Sequence, residues 1–173
     1  MDIYVLILRL IHIPSAIFWV GTSLFFVFFL TPTIKAAGPA GGTVMGRLVM
    51  TNFPLVMSIT SILTVLAGFL LYLDDSKGFQ ASFITTLPGI SLTVGALAGI
   101  ISFILGAIVQ MSIVRMAGIQ KNIQAAGAPP TPAQLEELNK LQARLVSVSR
   151  WGAVFMIIAM VGMESARELG KMP

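Results

Sequence analysis

The sequence predicts an all-α integral membrane protein, a bundle of four spanning helices whose third and fourth helices extend into a cytoplasmic antiparallel hairpin. Of its 173 residues, 56% are hydrophobic and 10% are charged, whereas a soluble domain carries about 25% charged residues. The mean hydropathy is +0.91. Four apolar stretches reach or approach the roughly 20 residues that cross about 30 Å of hydrocarbon, and nothing indicates a second domain.

The four predicted spans form a single membrane domain. They cover residues 3–30, 53–73, 90–114 and 151–167. Pro14 lies in the first half of the first span, where a membrane helix tolerates proline because neighbouring groups satisfy the freed carbonyl. Asp2 stands where a secretory signal has basic residues, and the apolar run continues to Leu30. We therefore expect a retained helix and not a cleaved signal.

Turn-forming residues predict the connections between the spans. Thr31-Pro32 and the Ala/Gly/Pro-rich segment 36–42 predict a loop after the first span. The segment 43–52 is mildly amphipathic and is expected at the interface or leading into the second span. The segment 79–87 is apolar but too short to span, so we expect it to graze the interface.

Residues 115–150 predict a hairpin outside the membrane. The helical pattern of the third span continues to Ile123, and Gly127 followed by Pro129-Pro130 stops it. Thr131 to Gln134 fit a capping box with proline at the first helical position. Apolar residues then recur at three- and four-residue intervals and predict a packing seam. They are Leu135, Leu138, Leu141, Leu145 and Val148. Gly170 is the predicted cap at the end of this helix.

The distribution of basic residues predicts the orientation. Seven lie in the first and third connections: Lys35, Arg47, Arg115, Lys121, Lys140, Arg144 and Arg150. Four lie on the opposite side: Arg9, Lys77, Arg167 and Lys171. By the positive-inside rule, we expect both termini outside and the hairpin in the cytoplasm, with the protein integral to the cell (inner) membrane. We therefore expect the lipid bilayer to surround the protein. The net charge of +4 is attributed to this topology and not to nucleic-acid binding.

The composition also limits the chemistry. The chain has no cysteine, which excludes disulfides, thiolate metal ligands, iron–sulfur clusters and c-type haem attachment. Its single histidine, His12, has no nucleophile motif around it, so no hydrolase is predicted. No glycine-rich phosphate-binding loop is present in the sequence.

The most informative residues lie inside the predicted membrane. Ionisable side chains there are costly and are therefore functional candidates. His12 lies in the first span, Arg9 shares its helix face, and Trp19 lies near that face. The antiparallel topology places several residues of other spans at a similar depth. These are Gly68, Gly95, Gly99, Met160 and Met163, with Arg167 nearer the outer surface.

Two cofactors are consistent with this set. In the first interpretation, His12 is an axial ligand of a b-type haem and Met160 or Met163 is the sixth ligand. Arg9 and Arg167 then meet the propionates, and the three glycines leave room for the flat macrocycle. In the second, His12 and the methionines bind copper as Cu(I), which prefers imidazole and thioether ligands.

A third interpretation assigns these residues a purely structural role. Methionines at helical spacing commonly pack in cores, and a histidine in a membrane helix can hydrogen-bond a carbonyl. Arg9 and Glu164 are then a buried ion pair. A stripe of small residues along the third span allows close packing of helices in lipid. It comprises Gly95, Gly99, Ser102 and Gly106.

The first and last spans resemble those of a known group of membrane proteins. The pattern His-x6-Trp-x-Gly, formed by His12, Trp19 and Gly21, resembles the opening helix of copper-resistance D-like proteins and, more distantly, HemJ-type protoporphyrinogen oxidases. The segment 160–167 resembles their last helix. The resemblance implies a bundle that handles haem, porphyrin or copper, and it carries over His12, Trp19, Gly21 and, more weakly, Arg167. This chain departs from the group because it has no second histidine.

The leading hypothesis is therefore a membrane protein with one b-type haem near its outer face, serving electron transfer or porphyrin redox chemistry. Copper handling is the first alternative. The second is a non-catalytic subunit of a larger membrane complex, whose glycine stripe and hairpin dock other membrane subunits. A homo-oligomer is compatible with each of the three.

Overall fold

The computed structural model of the chain describes residues 2–171, and every regular element in that part is helical. The α-helices are α1 (Ile3–Phe25), α2 (Thr31–Ala36), α3 (Pro39–Val49), α4 (Phe53–Asp75), α5 (Ala81–Ile84), α6 (Leu87–Ala126) and α7 (Pro132–Leu169). Four helical stretches are long and apolar enough to cross a membrane: Ile3–Ala36, α4, α6 and α7. They indicate a multi-pass membrane protein.

The first spanning helix is longer than predicted. A π-helical segment, Phe26–Leu30, joins α1 to α2 without a break, so the expected loop at Thr31-Pro32 is wrong. Proline cannot donate a backbone hydrogen bond within a helix, and Pro32 lies at the start of α2, directly after the π segment. Within the π segment the backbone bonds span five residues, as from Thr31 N–H to the Phe26 carbonyl, and the helix then continues through Pro32.

Two short helices, α3 and α5, lie in the connections between the spanning helices. Gly38, with a positive φ of 57°, separates α2 from α3. Helix α3 includes much of the predicted loop 36–42. Pro39 is compatible with this because it lies in the first turn, where a backbone N–H makes no hydrogen bond within the helix. Helix α5 lies within the apolar segment 79–87, and α6 begins at Leu87, three residues before the predicted start.

The end of α6 and the start of α7 confirm the predicted boundaries. Gly127 caps α6 in the left-handed conformation, with φ of 59°. The Thr131 side chain accepts from Gln134 N, and the Gln134 side chain accepts from Thr131 N in return, so both halves of the capping box are present. Gly170 caps α7, although in the right-handed conformation.

Helices α6 and α7 form the closest packed pair. A Cβ on Gly95 would lie 3.0 Å from Met163 N, and a Cβ on Gly162 would lie 2.8 Å from the Gly95 Cα. The two helices therefore meet backbone to backbone, as small residues permit in lipid. Two serines of α6 reinforce the contact. Ser91 Oγ donates to the Gly162 carbonyl and Ser102 Oγ to the Gly152 carbonyl, each at 2.9 Å.

The extensions of α6 and α7 pack together as the predicted hairpin, although which side of the membrane they occupy stays a prediction. Arg115 Nε donates to Glu137 Oε1 at 2.7 Å and joins the two helices. Leu141 in the predicted seam is buried. Leu135 is 47% exposed and therefore lies at the edge of the seam.

Helices α1 and α4 form the second packed pair. Side-chain contacts from both of its helices join it to α6. Trp19 of α1, only 6% exposed, meets the ring of Phe103 edge-on with centroids 6.4 Å apart. The Tyr72 hydroxyl of α4 lies 2.6 Å from the Thr93 hydroxyl. Small buried residues, including Ala67 and Ala98, complete the core.

The backbone contact between α6 and α7 generates a test of the packing. Gly162→Ala inserts a methyl group against the backbone atoms of Gly95 and Ser91, and overpacking of this kind costs about 1–3 kcal/mol. We expect the unfolding midpoint in mixed detergent micelles to fall accordingly. Gly106→Ala is the matched control, because nothing lies within 4 Å of its Cβ position. Equal stability of the two variants would contradict the close contact.

Candidate functional site

His12 is held by a hydrogen bond to the backbone of the neighbouring helix. Its Nδ1 lies 2.8 Å from the carbonyl oxygen of Thr64 in α4, and the side chain is half-buried. A carbonyl oxygen only accepts, so Nδ1 must carry the proton. In the neutral ring, Nε2 then carries the free lone pair and is the atom available to a ligand or a second donor.

Gly68 makes this arrangement possible. It lies one helical turn after Thr64, and a Cβ at this position would lie 2.7 Å from His12 Cε1 and 3.0 Å from His12 Nδ1. Any larger residue would force the imidazole away from the carbonyl. The structure thus brings together two of the predicted site residues, His12 and Gly68. The space that the prediction reserved for a macrocycle beside Gly68 holds the imidazole ring itself.

The other two predicted glycines lie in a different contact. Gly95 faces the backbone of α7 at Ala159 and Met163. The methyl carbon of Met163 lies 3.9 Å from the position of a Cβ on Gly99. The structure therefore groups Gly95, Gly99 and Met163 at the interface of α6 and α7, where the glycines accommodate protein atoms.

The two predicted methionine ligands differ in exposure. Met160 is 52% exposed, so much of its side chain lies on the outer surface of the bundle. Met163 is half-buried. Met156, two helical turns before Met163 on α7, is buried in the core. Of the two predicted thioether ligands, Met163 is therefore the more buried.

The salt bridges of residues 2–171 do not include the expected ion pair of Arg9 and Glu164. Glu164 lies 3.6 Å from Arg167 on its own helix, and both side chains are largely exposed. Arg9 is exposed and lies within electrostatic range of Asp75, at the end of α4. The charge of Arg9 thus acts on Asp75 without a salt bridge between the two, whereas Glu164 pairs with Arg167.

Residues 2–171 contain no group of three or more His, Cys, Asp or Glu side chains that could hold a metal ion. With one histidine and no cysteine in the chain, a metal site here needs thioether, backbone or cofactor ligands beside His12.

The structural interpretation of the sequence expected a carbonyl partner for His12 but could not identify it as that of Thr64. Thr64 enters the site through its backbone carbonyl, which every residue type carries, so no residue pattern could mark it. Gly68 did carry a signal, since it lies at the depth of His12 in the antiparallel topology. Trp19 is buried on the same helix but contacts Phe103 of α6.

Comparisons with protein-family models, curated proteins and solved structures found no significant match.

The hydrogen bond to Thr64 predicts the tautomer of His12. Because the chain has one histidine, ¹⁵N-histidine labelling gives the signals of this imidazole alone. In nanodiscs at mildly alkaline pH, we expect nitrogen chemical shifts of a neutral ring protonated at Nδ1. Gly68→Ala should change them, because its methyl group displaces the ring, whereas Gly21→Ala, which has open space at its Cβ position, should not. A ring protonated at Nε2 would contradict the geometry.

Proposed function

We propose that this multi-pass membrane protein binds one b-type haem through Nε2 of His12. The observation that carries the proposal is the hydrogen bond from Nδ1 to the Thr64 carbonyl. Histidines that ligate a metal nearly always donate their other ring N–H to a carboxylate, a carbonyl or water, which fixes the tautomer and raises the basicity of the ligating nitrogen. His12 has this arrangement within a helix pair of the bundle.

The residues present fit one axial ligand and leave the second less determined. His12 supplies the imidazole. Met163 is the better thioether candidate, since it is half-buried and Met160 is 52% exposed. Arg9 and Arg167 lie toward the same end of the bundle and remain the candidate partners for propionates. Haem would supply one-electron redox chemistry, and the Thr64 carbonyl would hold the His12 ring in a fixed orientation.

Copper handling rests on fewer groups. Imidazole and thioether ligands suit Cu(I), but His12 is the only histidine in the chain. Met163 packs against Gly99, and Met160 is exposed. We therefore keep copper as an outcome of the experiment below.

A second candidate function is a non-catalytic subunit in which His12 holds α1 against α4. The close fit of the imidazole against Gly68 favours it, because the ring then acts as an interhelical contact. Polar contacts between membrane helices contribute roughly 0.5–2 kcal/mol each, enough to fix the register of one helix pair.

The visible spectrum of the purified protein separates these functions. From cells replete with haem, we expect a Soret band and about one haem per chain, with little copper by elemental analysis. His12→Ala should lose the band because it removes the imidazole nitrogen. His12→Gln should also lose it while staying folded, since its amide can still donate to the Thr64 carbonyl.

The outcomes that contradict the haem proposal are distinct. A wild-type protein without a Soret band, even after haem addition, eliminates it. If His12→Ala then lowers the unfolding midpoint and His12→Gln restores it, the subunit function is supported instead. Stoichiometric copper that disappears in His12→Ala supports copper handling.

A further inference from the structure

A groove with two basic residues lies between the end of the first spanning helix and α7. Its volume is about 790 Å³. Lys35 of α2 forms one wall, and the remaining lining residues belong to α7. They are Asn139, Gln142, Ala143, Val146, Ser147, Arg150, Trp151 and Val154.

The α7 wall is a single helix face that crosses the predicted membrane boundary. Its residues recur at three- and four-residue intervals, which places them along one side of an α-helix. The polar members, Asn139, Gln142 and Ser147, lie in the hairpin extension. Trp151 and Val154 lie where the apolar part of α7 begins. The groove therefore presents a polar end and an apolar end along one surface.

The charge of the groove is positive and uncompensated among the described residues. Lys35 and Arg150 both line it, and no aspartate or glutamate does. Within residues 2–171, neither cation forms a salt bridge. Two basic side chains at one cavity attract an anion, and guanidinium matches phosphate oxygens through paired hydrogen bonds.

Trp151 adds evidence on the nature of that anion. Its side chain is 60% exposed, although it is large and amphipathic. Tryptophan is enriched where membrane helices meet the headgroup region. A small soluble anion would use the cations and leave the apolar end of the groove without a function. A phospholipid uses both ends, with its phosphate at the cations and an acyl chain along Trp151 and Val154.

We propose that this groove binds an anionic phospholipid, with the headgroup phosphate held by Lys35 and Arg150. Basic pockets between membrane helices recognise anionic headgroups through the same combination of charge and depth. This site is separate from His12 and does not depend on the identity of any cofactor there.

Fluorescence of Trp151 tests the proposal directly. The chain has two tryptophans, so Trp19→Phe leaves Trp151 as the only one. In nanodiscs containing a small fraction of brominated lipid, brominated phosphatidylglycerol should quench Trp151 much more strongly than brominated phosphatidylcholine. Each basic residue near a membrane surface attracts anionic lipid appreciably, so two should enrich phosphatidylglycerol at the groove roughly tenfold or more. Lys35→Gln combined with Arg150→Gln should abolish the preference.

The matched control removes the same charge from elsewhere on the hairpin. Lys121→Gln with Arg144→Gln should keep the preference, because neither residue lines the groove. Three results would overturn the proposal. They are equal quenching by the two lipids, an unchanged preference in the Lys35 and Arg150 variant, and loss of the preference in the control. Displacement of the lipid by added inorganic phosphate would also overturn it and would assign the groove to a soluble anion.

Discussion

The hydrogen bond from His12 to the Thr64 carbonyl is the contact on which the arrangement of the first helix pair depends. A polar ring in lipid needs a partner, because no water is present to satisfy it. In an α-helix, the Thr64 carbonyl already accepts the amide of the residue four positions on, and a carbonyl oxygen has a second lone pair for the imidazole. This contact leaves no room for a Cβ at position 68, joins α1 to α4, and leaves Nε2 as the ring nitrogen that does not face the Thr64 carbonyl.

The second helix pair is built on a different principle. Helices α6 and α7 approach until the backbone atoms of Gly95 and Gly162 are in contact. Buried serine hydroxyls, such as that of Ser102, then donate across the interface to carbonyls. Here small residues let the two backbones approach each other, as is usual for helices in lipid, so the contact does not depend on large side chains. The glycines considered as space for a cofactor therefore have a sufficient explanation in helix packing, and the haem proposal rests on His12.

The sequence predicted the spanning helices well because long apolar runs and their terminal residues are local signals. The capping box at Thr131 and the stop at Gly127 are examples. It failed at Thr31-Pro32, where the helix continues through proline after a π segment that has no residue signature. The site was only partly predictable. Matching the depths of residues on antiparallel helices placed Gly68 beside His12. Depth alone does not show which face of its helix a residue occupies. It therefore could not separate exposed Met160 from half-buried Met163, nor show that Lys35 and Arg150 share a groove.

We propose above that the unprotonated nitrogen of His12 ligates a haem iron, and the single histidine of the chain allows a direct test. Protein labelled with ¹⁵N only in histidine, loaded with unlabelled haem and oxidised to a low-spin ferric state, should show a ¹⁵N hyperfine coupling by pulsed electron paramagnetic resonance. The coupling should be absent in His12→Gln. A ferric haem signal with couplings from the unlabelled porphyrin nitrogens alone would contradict the account, because the iron would then be held without His12.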